Sequence, residues 1–157
     1  MTTSNVTTRE GAADPPVEPV DRWLADRLAA YGRGIEPPTD WLPTVTFLQI
    51  VSAIEAAAPE PAATIQLYQH WIACQPPGAP HLFAAWFNLG VSLAQSANPA
   101  GAVVAYPHAV SLRPDFSAAA TNLGLAFEAL GNTDAALQTW ERALQPDEAR
   151  TSLLTHR

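Results

Sequence analysis

Histidine, cysteine and carboxylate side chains are where catalysis or metal binding would first show in a sequence. The four histidines, His70, His81, His108 and His156, form no HxxxH pair that would set two imidazoles on one helical face. The one cysteine, Cys74, has no partner for a zinc pair, and reads as a small buried or half-buried filler rather than a nucleophile. Glycine patterns that cradle phosphate (GxGxxG, GxxxxGK) and the GxSxG elbow are missing. Glu55, Glu128, Asp134 and Glu141 read as solvated helix faces. What remains is a pair of amides. Asn88 and Asn122 stand 34 residues apart, each followed by Leu-Gly, in "AAWFNLG" and "AAATNLG". A primary amide carries two donors and one acceptor, so a stacked pair can engage the backbone of an extended peptide. That chemistry is recognition, and it requires neither a metal nor a cofactor.

Composition narrows the setting. The chain has 157 residues, 48% of them hydrophobic, enough for the core of one ordinary domain. Its net charge of -7, with no run of Lys or Arg, argues against a nucleic-acid partner, which needs a basic face. No uncharged apolar run is long enough for a membrane span, and the first residues lack the basic and apolar regions of a signal peptide. A lone cysteine fits a reducing compartment. The expectation is a cytoplasmic protein without metal or membrane association.

Positioning the amides requires helices. Residues 1–20 are polar, hold Pro15, Pro16 and Pro19, and are expected to be disordered. "DRWLADRLAAYGRG", residues 21–34, reads as a short capping helix with Asp21 at its N-cap and Gly32 at its end. From Trp41 to Ala58 the composition is helical, with Phe47, Ile50, Val51 and Ile54 at i, i+3, i+4, i+7. Pro59 and Pro61 stop that helix and open the next, which runs to Cys74. Two further pairs are expected over 83–116 and 117–150, with Asn98-Pro99 opening one second helix and Gly131 closing one first helix. Residues 151–157 resemble the start of a further or capping helix. Strand alternation and hairpin turns are missing, so the fold is expected to be all-α.

The offset of 34 aligns more than the tripeptide. Leu89 falls on Leu123, Gly90 on Gly124, Ala102 on Ala136, Tyr106 on Trp140 and Ala109 on Ala143. A 34-residue period of paired helices is the signature of the tetratricopeptide repeat, an α-solenoid of stacked antiparallel helix pairs. The expected repeat core is Trp86, Leu89, Gly90, Leu93, Ala102, Tyr106 and Ala109 in one copy. In the other it is Leu123, Gly124, Phe127, Ala136, Trp140 and Ala143. Small residues such as Gly90 and Ala102 are expected where the helices cross closely. An earlier, divergent pair at 41–82 aligns when Ala63 is set on Ala102, a step of 39, with Val51 in place of the glycine. Pro107 inside a second helix is expected to kink it, and Pro146 to shorten the last one.

In this repeat the first helices line a groove, and the residue before Leu-Gly points into it. The predicted groove is therefore Asn88 and Asn122 with Phe87, Val91, Ala94 and Gln95, then Thr121, Leu125, Glu128 and Ala129. Asn stands at this site either because the groove needs amides or because the repeat favours Asn at an exposed helical position. Gln95 and Ala129 stand where carboxylate-clamping repeats carry Lys or Arg, which disfavours a chaperone-tail clamp. An Asn-lined groove over residues 44–157 resembles the N-terminal repeat segment of bacterial SPINDLY-type O-linked N-acetylglucosamine transferases. That resemblance implies a substrate-recruiting arm for a parent enzyme that glycosylates Ser or Thr, and it carries no catalytic residue onto this chain. The function expected of these residues is protein–protein interaction: binding an extended partner segment.

Overall fold

The computed structural model describes residues 42–145 together with Asp26, Arg27 and Ala30. The expected tail at 1–20, most of the helix at 21–34, and the segment at 151–157 lie outside the described residues; Asp26, Arg27 and Ala30 are helical. A 3-10 turn, Leu42–Thr44, leads into six α-helices. These are α1 (Phe47–Ala57), α2 (Pro61–Ala73), α3 (Leu82–Gln95), α4 (Pro99–Leu112), α5 (Ser117–Ala129) and α6 (Thr133–Leu144). No strand occurs among the described residues.

Local chemistry sets most helix ends. Helix α1 starts at Phe47 rather than running from Trp41, because Thr46 and Gln49 close a reciprocal capping box. The Gln49 amide donates to Thr46 Oγ1 at 3.3 Å, and the Thr46 amide donates to Gln49 Oε1 at 2.9 Å. Pro61 and Pro99 each occupy the first turn of a second helix, where the missing N–H costs nothing. Asn98 accepts from the Gly101 amide at 2.9 Å, and Asn132, 34 residues later, accepts from the Ala135 amide at 3.2 Å. Gly131 turns the chain at φ 75°, a left-handed conformation that costs glycine nothing. Helix α4 continues through Pro107 to Leu112. Helix α6 stops at Leu144, and Gln145 is extended at ψ 134°, as a residue preceding proline prefers.

From α2 onward each helix packs on the next in chain order, and α3 also touches α5. The result is a one-dimensional stack whose core runs through Ile50, Leu67, Ala85, Leu89, Tyr106 and Leu123. Helix α1 meets α2 differently. Its Phe47 ring reaches Tyr68 and Trp71 at centroid distances of 6.5 and 5.7 Å, so large rings fill this interface instead of close backbones. Buried alanines (Ala102, Ala105 and Ala109 on α4, Ala119 and Ala126 on α5) allow the tight approach in the later pairs.

The expected repeat core is divided by the structure. Leu89, Gly90, Leu93, Ala102, Tyr106, Ala109, Leu123, Gly124 and Ala136 are buried. Trp86, Phe127, Trp140 and Ala143 are only half-buried. Trp86 lies at the flank of its pair and stacks on His108 at 4.0 Å, and Trp140 and Ala143 sit on the last described helix. Cys74 is a plain correction: it is exposed, capping α2 just past the buried Trp71, and fills nothing.

The repeated glycines make room for rings rather than for backbone. A Cβ on Gly90 would sit 2.5 Å from Tyr106 Cε1, and one on Gly124 would collide with the Trp140 indole. Tyr106 and Trp140 thus recur at the same offset as the glycines they cover. Gly90→Ala is expected to lower stability by about 1–3 kcal/mol through overpacking, less the ~1 kcal/mol that alanine gains in a helix. Gly124→Ala should cost less, because half-exposed Trp140 can swing outward while buried Tyr106 cannot. Urea midpoints of the two variants test this order, and equal losses would contradict it.

Candidate functional site

Two cavities open between successive helix pairs and share Val91 and Gln95 of α3, so they adjoin across that helix. The first, of ≈ 280 Å³, lies between the α1–α2 pair and α3, with Tyr68 and Asn88 among its walls. The second, of ≈ 540 Å³, lies between the α3–α4 pair and α5, and Tyr106, Asn122 and Leu125 line it. Each cavity therefore holds one member of the repeated asparagine pair and one tyrosine.

The asparagine and tyrosine of each cavity are joined. Asn88 Nδ2 donates to the Tyr68 hydroxyl at 3.1 Å, bridging the second helix of one pair to the first helix of the next. Asn122 stands close enough to the Tyr106 hydroxyl to favour its ionised form as a hydrogen-bond partner. From the sequence, each asparagine is either a groove amide or an exposed helical habit of the repeat. The structure adds a third role, a cross-pair tie, while leaving part of each amide's bonding capacity for the groove. It also revises the register of the divergent pair. Pro61 and Tyr68 correspond to Pro99 and Tyr106, a step of 38, whereas anchoring on Ala63 and Ala102 suggested 39. Tyr68 was missed for that reason. Its signal was legible: an N1 proline followed seven residues later by tyrosine occurs in both α2 and α4.

The other predicted groove residues separate. Val91, Ala94, Gln95, Leu125 and Ala129 line the cavities, and Leu125 is exposed. Phe87 does not. It is turned toward the neighbouring helices, with its ring 4.9 Å from Phe116 and 6.0 Å from Tyr106. A large apolar ring buries itself in the nearest interface, which here is that with the following pair. Thr121 and Glu128 are exposed but line neither cavity, and the Thr121 carbonyl accepts from Trp140 Nε1 at 3.2 Å. Ile54, Pro59, Pro61, Thr64 and Ser92 also line the first cavity and were not foreseen there.

Burial raises the pKa of both tyrosines. For Tyr68 desolvation dominates, the Asn88 bond pulls the other way, and the nearby Glu55 charge adds to the rise. For Tyr106 desolvation again dominates over the opposing Asn122 bond. Both hydroxyls consequently stay protonated through neutral pH and remain donors. A raised folded-state pKa leaves stability intact below the unfolded value of 10.0 and removes it as pH climbs through the folded values. Ultraviolet titration should show two tyrosines ionising above the ordinary value, with the urea midpoint falling over the same alkaline range. Two normal titrations would contradict the buried geometry.

No group of three or more His, Cys, Asp or Glu side chains comes together among the described residues, and no described helix is long and apolar enough to cross a membrane. Stacked antiparallel pairs with this groove define an all-α solenoid of the tetratricopeptide type. The described fold is similar to that of MamA. One MamA crystal structure matches with a TM-score of 0.53 at 20% identity, over 85% of this chain and 81% of the other. A second matches at 0.54 and 21% identity, over 85% and 76%. A MamA mutant matches at 0.58 and 16% identity, over 78% and 94%. Identity at this level establishes the likeness of fold. No protein-family model and no curated protein matches the sequence.

Proposed function

We propose that this chain is a recognition module that binds an extended segment of a partner protein along the groove shared by α3 and α5. One observation carries the reading: two adjoining cavities present the same Asn–Tyr pair one repeat apart. Solenoids place such repeated groups on a common face, so one ligand can meet them in succession. Asn88 spends one amide hydrogen on Tyr68 and keeps its carbonyl oxygen and second hydrogen for a peptide backbone. The resemblance to SPINDLY-type transferases would make the same groove a substrate-recruiting arm. That finer assignment rests on the sequence alone, and the chemistry of this chain is recognition in either setting.

Replacing both Asn88 and Asn122 with Ala should weaken partner binding about tenfold or more, at about 0.5–1.5 kcal/mol per lost hydrogen bond. Because the amides tie helix pairs together, the double variant should also lose about 1–2 kcal/mol of stability. Tyr68→Phe with Tyr106→Phe removes the ties but keeps the amides, and separates the two roles. Calorimetry showing that Asn→Ala and Tyr→Phe variants bind the partner as tightly as the parent would rule out the groove role.

A further inference from the structure

The groove is uncharged on a strongly acidic chain. The net charge is -7, yet no Asp, Glu, Lys, Arg or His lines either cavity. The walls are Ile54, Val91, Leu125, alanines, prolines, and the neutral polar groups of Ser, Thr, Gln, Asn and Tyr. Leu125 is half-exposed at 50% on the second cavity, an apolar side chain left without cover. Carboxylates stand outside: Glu55 acts on Tyr68 only through its charge, and Glu128 is exposed beside the groove without lining it.

A ligand side chain entering such a cavity gives up water and finds no counter-ion, so a charged group there is disfavoured. A small apolar side chain gains by leaving water there. Backbone groups fare well at the same place. The protonated tyrosine O–H and the second amide hydrogen are donors, and the asparagine carbonyl is an acceptor. Together they match the C=O and N–H of one peptide unit. Neighbouring packed helices lie about 8–10 Å apart, and a polyproline-like chain, with three residues per turn, advances about 3.1 Å per residue and returns every third side chain to the same face. Side chains three residues apart therefore reach successive cavities.

Resting on the groove reading above, we propose that the partner is an extended, uncharged peptide segment with small apolar side chains at positions i and i+3. Its backbone is held by the Tyr68–Asn88 and Tyr106–Asn122 pairs, and its sequence is selected by the exclusion of charge. Free C-terminal carboxylates and acidic or basic motifs are rejected.

The test is selection of a displayed random-peptide library on the full chain, followed by calorimetry of synthetic hits at low and high salt. Expected hits carry Ala, Val, Pro or similar residues at two sites three apart, and bind with little dependence on salt. Placing Asp or Lys at either site should weaken binding at least about tenfold. Enrichment of charged residues at those sites, or a steep fall of affinity with salt, would overturn the proposal while leaving the groove in place, provided that Asn88→Ala and Asn122→Ala still weaken the hits. Hits indifferent to both asparagines, or a library without binders, would sink the groove reading itself and the proposal with it.

Discussion

Tyr106→Ala is expected to destabilise the chain by about 3–5 kcal/mol, the range for removing a large ring from a packed core. Tyr106 is among the largest fully buried side chains, at 2% exposure, and serves two repeats at once. Its ring covers Gly90 on α3, and its hydroxyl meets Asn122 on α5. Losing it opens a void within one pair and unties the next, which in a nearest-neighbour stack propagates along the array. Tyr106→Phe keeps the ring and loses only the hydroxyl bond, so it should cost about 0.5–1.5 kcal/mol. Urea denaturation of the two variants measures both effects. A Tyr106→Ala loss no larger than that of Tyr106→Phe would show that the ring is not the keystone of this pair.

Trp71→Ala should have an effect of the same order, about 3–5 kcal/mol, concentrated at the other end of the stack. Trp71 is 2% exposed, and its Nε1 donates to the Val45 carbonyl at 2.8 Å in a buried bond. Its ring packs on Phe47. That single side chain therefore fastens both the segment leading into α1 and α1 itself, which lacks the close backbone packing of the later pairs. Trp71→Phe retains most of the packing but strands a buried carbonyl, at about 1–3 kcal/mol. Hydrogen exchange should show protection lost first over residues 47–57 in both variants, with α3 to α6 protected longer. Uniform loss across all six helices would contradict this division.

These two residues mark what pattern reading found and what it missed. Tyr106 was legible as a repeat position, because it recurs as Trp140 at the family offset and faces a recurring glycine. Trp71 was legible only as a residue of interhelix packing, since the divergent pair has no glycine to mark what it covers and its hydrogen-bond partner is a backbone carbonyl 26 residues away. A backbone acceptor leaves no trace in side-chain spacing. The same holds for Phe87, whose helix position faces the groove while its ring finds better burial against Phe116. Cys74 was misjudged because burial of a helix end depends on what lies beyond it.

Several features are determined by the sequence itself. Apolar periodicity, N1 prolines, asparagine caps and Gly131 make the helices, and the offset of 34 makes them stack, because these signals act within a few residues or repeat along the chain. The tertiary structure alone decided what the asparagines do. Asn88 meets Tyr68 and Asn122 meets Tyr106 only when one pair docks on the next. Only that docking reveals a groove without charge on an acidic chain, since the lining is brought together from five helices, three to each cavity.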